Sequence, residues 1–306
     1  MEKVDGKAIA KPPDFDKLWN NDHPGTTERR LRELLPSAFD SRDLSYFAQL
    51  LTQIAKAEGM QRRLEDAHKT LDRVEKVLSR VDHKTKVRYL LERGRLFSSS
   101  GKGDDARPLF HESLDLAIAS KEDLYAVDAA RMIPIIEPAE KQLQWNLKAL
   151  ALAEESADER AKSWLGPLYH NIGWAYFNQG MYEEALYMFE KALEFREHQG
   201  DASRVRIERW CVAKVQRVMG RTEEAFEMQR QLVQEYEAAG RRNGHVYEEI
   251  GECLLVMGRE EEAQGWFAAA YVELSKQPDV TRDQDHLNRL KELGKVGRSN
   301  TEYGGN

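Results

Sequence analysis

The fold of this chain is decided by residues 169–195, which read YHNIGWAYFNQGMYEEALYMFEKALEF. In the first half of this stretch, large and small side chains recur three or four residues apart, at Tyr169, Ile172, Gly173 and Tyr176. Residues with this spacing share one face of a helix. Gly173 is the small residue of that face. Its missing side chain lets a second helix approach closely, at a cost of about 1 kcal/mol in helix propensity relative to alanine.

A turn and a second helix follow in the same stretch. Gly180 is expected to end the first helix, because glycine adopts the left-handed conformation at low cost. Beyond it, Ala185, Phe189 and Ala192 recur at helical spacing. We expect Ala185 to face Gly173 and Phe189 to fill the space beside it. The stretch therefore predicts two antiparallel helices joined by a tight turn.

The same pattern recurs along the chain. A turn glycine precedes a small residue of the second helix by five positions in four places, namely Gly101 and Ala106, Gly180 and Ala185, Gly220 and Ala225, and Gly258 and Ala263. Two weaker units lie at residues 51–74 and 123–155, and Pro134 interrupts the first helix of the latter. Equivalent positions fall 36 to 43 residues apart, at Ala67, Ala106, Gln142, Ala185, Ala225 and Ala263.

This large–small–large signature resembles the tetratricopeptide repeat, a helix–turn–helix unit of about 34 residues. The longer spacing is similar to that of the long-repeat members of the family, such as kinesin light chains and the bacterial Rap-type regulators. The resemblance implies an all-α fold, a right-handed α-solenoid of about six such units with capping helices at both ends. Similarity to bacterial tetratricopeptide-repeat proteins also indicates a bacterial origin.

The chain divides into five predicted segments. Residues 1–14 and 298–306 are polar with glycine or proline and are predicted to be disordered. Residues 15–43 are predicted to form an N-terminal capping helix region, residues 44–277 the repeats, and residues 278–297 a C-terminal capping helix. No second domain is predicted.

Composition narrows the class of function. The net charge is −7 and the two signs are interspersed, which argues against nucleic acid as a partner. The sequence has neither an apolar run near 18 residues nor an apolar signal core, so we predict no membrane association and a cytoplasmic location. Cys211 and Cys253 give no disulfide framework and are interpreted as thiols packed in helices.

No motif in the sequence predicts catalysis, a cofactor or a metal. HESLD, residues 111–115, approaches the zinc-protease helix motif, but Asp115 stands where the second histidine is needed. Phosphate-binding, dinucleotide-binding and nucleophile-elbow patterns are absent from the sequence. We therefore predict a protein that is not an enzyme.

The resemblance also implies which side chains face the concave groove of the stack, since first helices line it. Transferring the family's groove positions to this sequence gives a basic run of Lys56, Arg88, Arg95, Arg131, Lys214 and Arg217. The same positions include His170, Asn171, Trp174 and Trp210. An amide such as Asn171 can donate to and accept from a peptide bond, and the two tryptophans are expected to flank an apolar anchor. The alternative is a solvated basic surface with tryptophans packed between helices.

These residues predict a non-enzymatic scaffold or adaptor that holds a peptide segment of another protein, with an acidic bias, in its groove. The alternative is a signal-responsive regulator in which a short peptide or small ligand changes the curvature of the stack. The two-carboxylate clamp of chaperone-tail adaptors is not reproduced, because Thr52 and Leu91 stand at clamp positions. The sequence does not predict an oligomeric state.

Overall fold

The computed structural model describes residues 13–277 and 280–297, and this part of the chain is all-helical. It contains sixteen α-helices, four short 3-10 helices and no strand. The predicted disordered ends lie outside the described residues, apart from Pro13 and Asp14. In the described part, no helix has both the length and the apolar character that crossing a bilayer requires.

The chain forms two compact units, and their boundary lies between Leu168 and Tyr169. Unit 1 contains α1 (Pro24–Glu33), α2 (Leu35–Asp40), α3 (Leu44–Met60), α4 (Leu64–Glu75), α5 (His83–Ser99), α6 (Gly103–Ala119), α7 (Asp123–Met132), α8 (Ala139–Glu155) and α9 (Glu159–Lys162). Its 3-10 helices are Phe15–Leu18, Leu78–Arg80 and Ile133–Ile135. Three helix pairs form its repeats: α3 with α4, α5 with α6, and α7 with α8.

Unit 2 begins within α10 (Leu165–Asn178) and continues with α11 (Tyr182–Gln199), α12 (Ala202–Val218), α13 (Thr222–Ala238), α14 (Gly244–Val256), α15 (Glu260–Leu274) and α16 (Gln284–Leu293). A 3-10 helix, Val280–Arg282, precedes α16. The repeats are α10 with α11, α12 with α13, and α14 with α15. The last helix packs on α15 and buries Leu287 and Leu290 in the core of the final pair.

Close approach of paired helices depends on the signature glycines. A Cβ atom placed on Gly173 would lie 2.8 Å from the ring of Phe189, and one on Gly251 would lie 2.8 Å from the ring of Phe267. Both rings are fully buried. The prediction that Phe189 fills the space beside Gly173 and the predicted close approach of the two helices are thus confirmed.

The predicted turns are also confirmed. Gly101, Gly180, Gly220 and Gly258 all have φ between +72° and +84°, and each follows the first helix of its pair. This left-handed conformation favours glycine. Pro134 lies within the 3-10 helix that ends α7. Pro138 is the N-cap of α8.

The N-terminal region of unit 1 is more elaborate than a single capping helix. Helix α1 packs on α3 and is held by ion pairs. Arg32 bonds to Glu58 of α3 at 2.5 Å and to Glu28 at 2.7 Å, and Gln61 donates to Glu28 at 2.8 Å. The preceding 3-10 helix, Phe15–Leu18, lies against the first helices α3 and α5.

Candidate functional site

The structure brings the two predicted tryptophans of unit 2 together. Trp174 on α10 and Trp210 on α12 are half-buried, with ring centroids 5.8 Å apart. Phe177 packs on Trp174 at 5.4 Å. The indole N–H of Trp210 donates to the carbonyl of His245 at 3.1 Å, which fixes the ring against α14. Successive first helices therefore share a continuous aromatic patch, of which Asn171 is an exposed neighbour on α10.

His170, another predicted groove residue, belongs to a polar cluster that was not predicted from the sequence. Its Nδ1 donates to the buried carboxylate of Glu208 at 2.8 Å. Ligand atoms of His170, Glu208 and the buried Cys211 all lie within 4.8 Å of one another. Glu208 and Cys211 lie three residues apart on α12, and this spacing is the feature of the sequence that could have indicated a shared helix face.

This cluster contains residue types that bind zinc, and its ligand atoms lie close enough together for the group to be a candidate metal site. The protonation state of the thiol argues against zinc binding. Burial raises the pKa of the Cys211 thiol well above its usual value, with the Glu208 carboxylate adding to the effect. A protonated thiol is a weak ligand. The His170–Glu208 hydrogen bond satisfies both of these side chains.

The basic residues predicted on α12 are paired within unit 2. Lys214 and Arg217 both bind Glu249 of α14, and the Arg217 Nε–Glu249 Oε2 distance is 2.8 Å. Glu249 is 1% exposed. Burial alone raises the pKa of its carboxyl, but Lys214 and Arg217 outweigh burial and hold that pKa below its usual value. Glu249 therefore stabilises the fold above about pH 4.5, and this contribution is lost as the pH falls through the depressed pKa.

In unit 1, the structure brings Arg95 and Arg131 together around one carboxylate. Arg95 of α5 binds Asp128 of α7, and Arg131 binds Asp128 at 2.6 Å. Arg95 also donates to Glu92 at 2.6 Å. Burial opposes ionisation of Asp128, but the two guanidinium groups hold its pKa well below the usual range. The guanidinium of Arg131 lies 3.6 Å from the centre of the Trp164 ring.

Lys56 and Arg88 contact residues 16–19, which were predicted to belong to the N-terminal capping helix region. The ammonium of Lys56 lies 4.3 Å from the centre of the Trp19 ring, and burial lowers the pKa of Lys56. Arg88, which is only 2% exposed, forms an ion pair with Asp16. Asp16 and Trp19 were not predicted as site residues. Carboxylates next to aromatic residues in PDFDKLW, residues 13–19, are the signal available in the sequence.

Family comparison agrees with the helix pairs described above. Residues 167–199, which contain α11 and most of α10, match the family model described as tetratricopeptide repeat. The predicted resemblance and the all-α repeat fold are thus confirmed. No curated protein sequence matches the chain significantly.

Several solved structures share the fold. A STAND protein with a tetratricopeptide repeat sensor from Pyrococcus horikoshii is 17% identical with a TM-score of 0.65, over 89% of this chain and 42% of that chain. The apo form of the quorum sensor NprR from B. thuringiensis is 16% identical with a TM-score of 0.64, over 94% and 82% of the two chains. The apo form of RapI is 10% identical with a TM-score of 0.69, over 92% and 82%. At these identities the similarity shows the fold alone.

Proposed function

We propose that this chain is a non-enzymatic interaction protein that holds a peptide segment of a partner against its first helices. The observation that carries the proposal is the aromatic patch of unit 2, formed by Trp174, Phe177 and Trp210. These side chains come from two successive repeats and are half-buried, so part of each ring remains accessible to a ligand. Tryptophan is enriched among residues that dominate binding energy.

Polar groups around the patch suit a peptide backbone. Asn171 is exposed one turn before Trp174 on α10, and its amide can both donate and accept. A peptide that places one apolar side chain on the tryptophans would bring its main chain within reach of such a group. Among proteins of similar fold, NprR forms a complex with its cognate peptide NprX. That complex supports a peptide as the class of ligand.

The proposed partner differs from the sequence expectation in one respect. Because Lys214 and Arg217 already bind Glu249, the unit 2 patch is proposed to select an apolar anchor in its ligand. The acidic bias is proposed for unit 1, where Arg88 binds Asp16 of the 3-10 helix Phe15–Leu18. Charged groups at the rim then set association rate and salt dependence more than residence time.

A displayed library of random twelve-residue peptides, selected on the full chain, tests this proposal. Binding of a selected peptide is then measured for the wild type and for Trp174→Ala. We expect the substitution to weaken binding by about 30-fold, corresponding to a hot-spot loss of about 2 kcal/mol, mainly through faster dissociation. Circular dichroism confirms that the variant remains folded.

Trp266→Ala is the matched control, since Trp266 lies on α15, a second helix of the same unit, and packs on Tyr247. This control should change peptide affinity by less than twofold. Equal losses in both variants, or no loss in Trp174→Ala, would place the peptide site outside the aromatic patch. The alternative prediction is a signal-responsive regulator, in which the ligand changes the curvature of the stack. This alternative predicts that the small-angle scattering curve changes when the selected peptide saturates the chain.

A further inference from the structure

Residues 13–19, called here the N-terminal segment, lie across the first helices of unit 1. The Phe15 ring packs on Tyr46 of α3 at 5.2 Å and is only 4% exposed. The indole N–H of Trp19 donates to the side-chain oxygen of Gln53 at 2.9 Å. Since Gln53 is also on α3, both aromatic side chains of the segment are seated on one repeat helix.

The centre of this contact is the ion pair between Asp16 and Arg88. The Arg88 guanidinium lies between two rings, 5.1 Å from the centre of Phe15 and 5.0 Å from that of Tyr125 on α7. The segment therefore contacts α3 and α5 directly through one carboxylate and its neighbouring aromatic residues, and Arg88 connects it to Tyr125 of α7. A peptide ligand of a repeat protein would make the same kinds of contact.

Arg88 is only partly satisfied by this arrangement. Its Nε and Nη1 are buried and lack a hydrogen-bond partner among the described residues. An unpaired buried donor of a charged group is costly, and a guanidinium is suited to a bidentate carboxylate. The site therefore has more donor capacity than Asp16 uses.

Charge on this surface also favours an acidic ligand. Four cations lie on the first helices of unit 1, namely Lys56, Arg88, Arg95 and Arg131, and the neighbouring carboxylates of those helices are Glu92 and Asp128. The N-terminal segment adds Asp16 to this surface and leaves a cationic excess.

The helix that follows the segment has anchors of its own, although the 3-10 helix Phe15–Leu18 also packs on it. The backbone N–H of Asn20 donates to the Thr27 hydroxyl at 3.0 Å, and that hydroxyl donates to the Asn20 carbonyl at 3.2 Å. Helix α1 also forms an ion pair with α3, through Arg32 and Glu58. Because these bonds do not involve residues 13–19, we expect them to hold α1 in place when the segment detaches.

We propose that the first helices of unit 1 form a binding site for a partner segment in which a carboxylate adjoins aromatic residues, and that residues 13–19 occupy this site as an intramolecular competitor. This proposal rests on the peptide-binding function proposed above and names the ligand chemistry of a second site, centred on Arg88. A tethered segment has an effective concentration of the order of 1 mM. If its own affinity is about 100 μM, it weakens a competing peptide about tenfold.

A fluorescent synthetic peptide with the sequence of residues 13–22, PDFDKLWNND, tests the proposal on the full chain. The probe is titrated into the wild type and into the double variant Asp16→Asn, Trp19→Ala, which keeps the buried Phe15 and weakens the docked segment. We expect the double variant to bind the probe at least tenfold more tightly than the wild type. A control peptide carrying the same two substitutions should bind at least tenfold more weakly than the probe.

When added to the double variant, Arg88→Gln should weaken probe binding at least tenfold. Trp174→Ala in the same background should change probe binding by less than twofold. The difference between Arg88→Gln and Trp174→Ala separates this proposal from the proposed unit 2 site. If the unit 2 site were wrong, only the binding of the library peptides would show it. Equal probe binding by wild type and double variant, or no effect of Arg88→Gln, would overturn the proposal.

A second measurement does not depend on a destabilised variant. In the wild-type chain labelled with 5-fluorotryptophan, Trp19→Phe identifies the Trp19 fluorine resonance. Excess probe peptide should shift this resonance to the position of a solvent-exposed tryptophan. An unchanged Trp19 resonance at saturating probe would show that residues 13–19 are a permanent part of unit 1, and the proposal would be wrong.

Discussion

Replacing Gly251 by alanine tests the packing on which every repeat depends. The added Cβ would lie 2.8 Å from Cζ of Phe267 and 2.9 Å from both Cε atoms. That ring is fully buried and has no open space to enter. Overpacking of a core costs about 1–3 kcal/mol, while replacing a helical glycine by alanine regains about 0.5–1 kcal/mol. We therefore expect the free energy of unfolding to fall by about 0.5–2 kcal/mol.

Gly265→Ala is the matched control in the same helix pair, because a Cβ on Gly265 of α15 meets no atom within 4 Å. This substitution should stabilise the chain by about 0.5–1 kcal/mol. Since the propensity gain is common to both variants, the difference between them measures the steric cost alone, about 1–3 kcal/mol. Urea unfolding followed by circular dichroism and tryptophan fluorescence gives both values.

Phe267→Leu provides the second half of the test, because it removes the tip of the ring that meets Gly251. In this background, Gly251→Ala should cost at least 1 kcal/mol less than in the wild type, which is a typical coupling for residues in contact. If Gly251→Ala is as stable as Gly265→Ala, or if Phe267→Leu leaves its cost unchanged, the close contact is not what limits this position.

Three further predictions concern charge, thiols and metal. The stability difference between wild type and Glu249→Gln, measured by urea unfolding, should be largest at pH 7 and should shrink below about pH 4.5, because the depressed pKa of this buried carboxyl means that its contribution is lost on acidification. Burial raises the pKa of Cys253 to about 12 and also raises that of Cys211, so neither thiol should react with Ellman's reagent at pH 8 until urea unfolds the chain. Adding zinc or a chelator should change the melting temperature by less than about 1 °C, since burial keeps the Cys211 thiol protonated and Glu208 already accepts a hydrogen bond from His170.

The helix pairs were predictable because their cause is local. A pair of this kind needs one glycine that leaves space for a ring and a second glycine that adopts positive φ at the turn. Both lie within about twenty residues of sequence, so the pattern is visible in a short stretch. Both requirements are met in the pair formed by α10 and α11, where the Phe189 ring lies against Gly173 and Gly180 has positive φ. The Phe189 ring fills the space beside Gly173, as its spacing from Gly173 and Gly180 predicted.

The charge arrangement was not predictable in the same way, because it depends on neighbours distant in sequence. Position rules named Lys214 and Arg217 as groove residues, but they did not show that Glu249, more than thirty residues later, lies against both. They also gave no sign that Asp16, seventy-two residues before Arg88, completes that ion pair. Each of these pairings requires the stacking of repeats, which a single repeat pattern does not contain.

The two kinds of ion pair have different consequences for binding. Lys214 is paired with Glu249, whose helix α14 is fixed in the core by Ile250 and Leu254. To bind a ligand carboxylate, Lys214 would have to leave a buried acid without its charge partner, which costs more than a surface ion pair returns. Arg88 is paired with Asp16 of the short 3-10 helix Phe15–Leu18, and exchanging Asp16 for another carboxylate leaves no buried charge unpaired. Of these basic residues, Arg88 is therefore the one whose partner can be replaced at low cost, and binding of an acidic segment is expected to depend on it.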